Sequence, residues 1–149
     1  MSSIAKKIIL SAVMMGACLV SSSFASEQRY ISIRNTDNVW VPGNICSLQF
    51  RLDNGGSGEG FGSLTITLRL KDKGGNVLSE GVMNVEPFGD SDVARSQDAF
   101  LEGECQDNTS TIEVVKATES RNGKEVNLPL SIFDPQYYKP LPVTVKGHK

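Results

Sequence analysis

Few residues in this chain could carry chemistry, and their positions narrow the choice further. The one histidine, His148, stands beside the C-terminus. Chain ends are seldom held in place, so Ser-His-Asp or Cys-His catalysis lacks its base. Three cysteines, Cys18, Cys46 and Cys105, are widely spread. One histidine, with Cys46 and Cys105 expected to be oxidised, leaves a zinc site short of ligands. Acidic pairs occur at Asp90/Asp92 and Glu102/Glu104. They flank a turn or alternate along a strand-like stretch, which reads as solvated charge rather than an acid–base couple. The run "DNGGSGEGFGS", 53–63, is the remaining suspect. A dinucleotide fingerprint needs G-x-G-x-x-G at the start of a helix, and here Phe61 or Ser63 stands where the third glycine belongs. No Gly-Lys pair follows to make a P-loop. Asp53 and Glu59 alone are a poor calcium cage. The run is therefore expected to be a mobile connection between two strands. Within it, Phe61 either tucks over the open end of the domain or stands out as a contact. No catalytic, cofactor-binding or metal-binding residue is assigned, and the chain is expected not to be an enzyme.

The first residues point to export. Lys6 and Lys7 precede an apolar run from Ile8 to Val20, and small residues end at Ser23-Phe24-Ala25. This is the pattern of a secretory signal peptide, 1–25, with cleavage expected after Ala25. The run is shorter than the roughly 20 residues that cross a bilayer, so no membrane span is expected. A second reading makes Met15-Gly16-Ala17-Cys18 a lipoprotein box with Cys18 as the lipid anchor. The mature chain, 26–149, is one domain by length. Loss of Lys6 and Lys7 leaves 13 of 15 basic groups against 17 acidic ones, a net charge of −4. The basic groups are scattered, so nucleic acid is not an expected partner. A secreted or periplasmic chain meets an oxidising compartment, and a Cys46–Cys105 disulfide is the leading expectation. The competing reading is a core thiol plus a stray one.

The elements that would position these residues are strands. "CSLQFRL" sets Cys46, Leu48, Phe50 and Leu52 on one side, and "LTITLRLK" does the same with Leu64, Ile66, Leu68 and Leu70. Period-two alternation of this length marks half-buried strands. Weaker alternation appears in "YISIR", "NVLSEGVMNV", "AFLEGEC", "STIEVVKA", "NLPLSIF" and "LPVTV". Cys105 shares the parity of Ala99 and Leu101, so both cysteines can face one core. Turn signals stand between these runs at "DKGGN", "FGDSD", "RNGK" and "FDPQ". Asn122-Gly123 suits a type I′ hairpin. The fold class read from this is all-β, a β-sandwich of immunoglobulin or fibronectin type III kind with seven to eight strands. Trp40 is expected in the core. Tyr137 and Tyr138 are adjacent, so in an extended chain they point to opposite faces and at most one fits a core. Pro135, Pro140 and Pro142 stiffen that segment, which reads either as a proline-broken edge or as a binding segment.

The stretches "YISIRNTDNVWVPGNIC", "QFRLDNGGSGEGFGSLTITL", "LKDKGGN", "FGDSD" and "LPLSIFDPQYYKPL" resemble the interleukin receptor mimic protein A (IrmA) family of small secreted bacterial proteins. The resemblance runs from Tyr30 to about Val145, and departs from the family in the glycine run and from Asn76 to Glu86. It implies a fibronectin type III-like sandwich and a homodimer made by strand exchange. It also implies a surface like that of cytokine-receptor ectodomains, binding host interleukins of the IL-2, IL-4 and IL-10 type. It carries over no catalytic residue. The function expected is that of a secreted, immune-modulating binding protein, a virulence factor, with Tyr137, Tyr138 and Phe61 as contact residues. The alternative is a structural or adhesive surface protein, such as a biofilm component or fibre subunit.

Overall fold

A computed structural model of the chain describes residues 28–90, 94–136 and 140–147. The expected signal peptide with its cleavage site, Cys18, Tyr137, Tyr138 and His148 lie outside the described residues.

The alternating runs become strands β1 (Ile31–Val41), β2 (Ile45–Asp53), β3 (Ser63–Lys71), β4 (Val77–Val85), β5 (Ser96–Glu104) and β6 (Thr111–Arg121). Three short pieces complete the set: β7 (Lys124–Asn127), β8 (Phe133–Pro135) and β9 (Val143–Val145). One sheet has the order β5-β2-β1-β8, the other β4-β3-β6-β7 with β9 also on β6. All pairings are antiparallel except β8 on β1 and β9 on β6. The chain passes from one sheet to the other after β2, β4 and β5, as in the expected fibronectin type III-like sandwich, and again after β7 and β8. Among the described residues the strands number nine, more than the seven to eight expected, because β8 and β9 are three-residue pieces that attach the C-terminal segment to both sheets.

The core lies where the alternation places it. Ile31, Ile33, Phe50, Leu52, Leu64, Ile66, Leu68, Met83, Ile112, Val114 and Val143 are almost wholly buried. Burying such side chains contributes roughly 1.5–3 kcal/mol each. Cys46 and Cys105 form the expected disulfide, tying the start of β2 to the end of β5. At the other end of the molecule Asn122 and Gly123 both have positive φ, 52° and 78°. That is the type I′ geometry their sequence predicts, and it joins β6 to β7.

Three register slips occur among the described residues; one lies between β3 and β4 at Leu70/Lys71, and the other two change which side chains face the core. In β1 the pairing slips between Asn35 and Asp37, leaving Thr36 as the extra residue. Ile31, Ile33 and Asn35 face the core, but beyond the bulge Asn38 and Trp40 take that face. In β6 the slip falls between Val114 and Lys116, so the inward set changes from Ile112 and Val114 to Ala117 and Glu119. A bulge adds one residue and re-aims the side chains beyond it.

Three expectations are corrected. Trp40 is not core: it is 66% exposed, because β1 and β2 run past the end of the opposite sheet. "NLPLSIF" is not a strand: Pro129 precedes a 3-10 turn, Leu130–Ile132, which still buries Ile132. "FDPQ" is not a turn: Phe133–Pro135 pairs in parallel with Ile31–Ile33, an edge position where proline's missing N–H is tolerated.

Candidate functional site

The bulge at Thr36 decides what the lower half of β1 presents. Ile31, Ile33, Asn35, Asp37, Val39 and Val41 share one parity in sequence, and an unbroken strand would turn all six toward the core. The slip turns Asp37, Val39 and Val41 outward instead. Asn35 holds it in place. Its amide, 1% exposed, donates to the Gln49 carbonyl at 2.8 Å and to Asn38 Oδ1 at 2.9 Å. Its Oδ1 accepts from the Leu141 N–H at 3.1 Å.

Below the bulge, three strands set out three cross-strand rungs on the outer face. They are Asp37–Gln49–Phe100, Val39–Ser47–Glu102 and Val41–Ile45–Glu104. Val39, Val41, Ile45 and Phe100 are all exposed, Phe100 at 56%. Trp40 projects from the opposite side of the same hairpin. Asp37–Val41, Ile45–Gln49 and Phe100–Glu104 contain no lysine or arginine. Among the described residues, β8 covers the outer edge of β1 only at Ile31–Ile33, so backbone groups farther down that strand have no ladder partner there. On the inner side lies a cleft of about 390 Å³ between the edges of β4 and β5. Asn38, Leu48, Leu70, Leu101 and Leu141 line it.

The upper half of the same sheet is charged and internally paired. Arg34 stands across from Arg51. Arg51 donates to Asp98 at 2.8 Å, and this holds the Asp98 carboxyl below the ordinary aspartate range. Arg95 bonds Asp53 at 3.0 Å. Tyr30 donates to Asp134 at 2.6 Å. That hydrogen bond, then burial and the nearby carboxylates, push the Tyr30 phenol up to about 12.

The glycine run is fastened down rather than slack. Asn54 is buried and donates to the carbonyls of Glu59 and Gly89. Gly89, at φ 101°, lies so close to the Glu59 carbonyl that a Cβ there would collide with it. Phe61 is 3% exposed and its ring stacks on Phe88 with centroids 5.4 Å apart. Arg29 lies over the Phe61 ring at 4.4 Å and forms two hydrogen bonds with Glu119, at 2.8 and 2.6 Å. Glu119 also accepts from the Gly62 N–H. Of the two readings of Phe61, the tucked ring is the one the packing shows. As an exposed contact residue it is corrected, because its ring is enclosed by Phe88 and Arg29.

Among the described residues no group of three or more His, Cys, Asp or Glu side chains is placed to hold a metal ion. Neither Val39, Val41, Ile45 nor Phe100 was singled out by sequence reasoning. Asn35 was the available signal, since a polar residue at a core parity often marks a break in the ladder.

The family model for interleukin receptor mimic protein A, IrmA, matches residues 31–136. The chain belongs to the IrmA family. A solved structure described as the structural characterization of IrmA from Escherichia coli is 64% identical in sequence. The similarity covers 79% of this chain and 100% of that one, with a TM-score of 0.73. No curated protein matches the chain. The IrmA match opens at the first residue of β1 and ends just past β8, so it takes in all three strands of the outward-turned apolar face. Tyr137 and Tyr138 fall immediately beyond it.

Proposed function

We propose that the mature chain is an exported, non-enzymatic protein that binds host interleukins as a receptor-like module and modulates immune signalling. The observation that carries this reading is the apolar lower face of the β5-β2-β1 sheet, in a chain of the interleukin receptor mimic family. Contiguous exposed apolar surface on a rigid sheet is a mark of a protein–protein contact. The disulfide supports export to an oxidising compartment.

Tyr137 and Tyr138 remain proposed contacts. We also hold to a homodimer by strand exchange. The C-terminal segment supports it, since β8 and β9 are short attachments at the edges of both sheets and could dock equally on a second copy.

Isothermal calorimetry of the mature protein against a panel of interleukins tests the reading. At least one is expected to bind more tightly than about 100 μM, roughly 5.5 kcal/mol of affinity. Absence of any such binding across the panel would remove it.

A further inference from the structure

The lower face of the β5-β2-β1 sheet carries a one-sided charge pattern as well as an apolar one. Asp37, Glu102 and Glu104 lie on its three rungs, one to a rung. Among the described residues none of them enters an ion pair. No cation is present on the three strand segments; on the next rung up Arg34 stands across from Arg51, which holds Asp98, and farther up Arg95 holds Asp53. Among the described residues the three carboxylates therefore serve no salt bridge. They edge Val39, Val41, Ile45 and Phe100 with negative charge.

We propose that this face docks a basic, amphipathic segment of a protein partner. Its apolar side chains would cover Val39, Val41, Ile45 and Phe100, and its lysines or arginines would stand against Asp37, Glu102 and Glu104. This deepens the receptor-like reading and rests on it for the partner being a protein. The physical case has three parts. Exposed valine, isoleucine and phenylalanine gain by being covered. Carboxylates at the rim attract a cationic surface, speed its approach and reject an acidic one. The bulge at Thr36 puts Val39 and Val41 on this face at the cost of an interrupted ladder, a device frequent where strands serve a site.

Trp40 points to the other side of the hairpin, so binding to this face is read by calorimetry rather than by tryptophan emission. The mature, disulfide-bonded protein is titrated with a short peptide alternating leucine and lysine, and with its leucine–glutamate counterpart. The lysine peptide is expected to bind saturably and the glutamate peptide to give no binding. The triple variant Asp37→Asn, Glu102→Gln, Glu104→Gln is expected to weaken the lysine peptide about tenfold or more. Glu125→Gln on β7, in the other sheet, is expected to leave it unaltered. Circular dichroism confirms that each variant folds. No binding of the lysine peptide, equal binding of both peptides, or undiminished binding by the triple variant would overturn the proposal. An interleukin that binds the triple variant as tightly as the unaltered protein removes this docking face but leaves the receptor-like reading. A bound lysine peptide with no bound interleukin does the reverse.

Discussion

A carboxylate only 2% exposed, such as Glu119, can stay charged only if hydrogen bonds replace the water it has lost. Burial by itself pushes its pKa up. The Arg29 hydrogen bonds, the Gly62 N–H and the Arg121 guanidinium outweigh burial and hold it below the ordinary glutamate value of 4.5. A folded pKa below the unfolded one stabilises the fold above about pH 4.5, and the stabilisation is lost as pH falls through the folded value. Glu119→Gln leaves the shape but removes the charge opposite a nearly buried arginine. It is expected to cost about 3 kcal/mol at pH 7 and to flatten the acid limb of stability. Urea unfolding at pH 7 and at several values below pH 5 checks both; an unchanged midpoint at pH 7 would contradict this role. Asn35 works by geometry instead of charge. Asn35→Ala leaves the Gln49 carbonyl and the Leu141 N–H without their side-chain partner and is expected to cost about 1–3 kcal/mol, read in the thermal midpoint.

At the scale of elements, β2 and β3 were legible because their alternation is unbroken from end to end. The paired cysteines were legible because parity aimed both inward. What alternation could not supply was the extent of the opposite sheet. Trp40 does lie on the inward face of β1, as its pairing with Cys46 shows, yet it is exposed among the described residues. Nor did periodicity show the bulges in β1 and β6, because one extra residue looks the same in sequence as continued strand. Nothing in the period therefore marked Val39 and Val41 as outward or Glu119 as inward. The glycine run misled for a related reason: one buried side chain, Asn54, fastens the loop, and a single asparagine has no period. The disulfide fixes the base of the projecting hairpin to β5. Replacing both Cys46 and Cys105 with serine frees a loop of sequence separation 59, expected to lower stability by about 4 kcal/mol in the chain-entropy model. Equilibrium unfolding in urea measures it, and a loss under about 1 kcal/mol would show that the crosslink constrains little.

As a whole molecule the sandwich has two unlike ends. One is closed by Phe61, Phe88, Arg29 and Glu119, buried and bonded. The other extends a hairpin of β1 and β2 past the opposite sheet, apolar on its outer side and fringed with carboxylates. A single core of this kind supplies rigidity, and function falls to the surface it holds still. The receptor-like reading and the basic-partner inference both depend on that second end being the one that binds. Chemical-shift mapping of isotope-labelled mature protein with an interleukin that calorimetry shows to bind tests this most directly. The account predicts that perturbed amides concentrate in 37–49 and 100–104. Perturbations gathered instead at the closed end, around 54–62 and 86–90, with the hairpin silent, would contradict it.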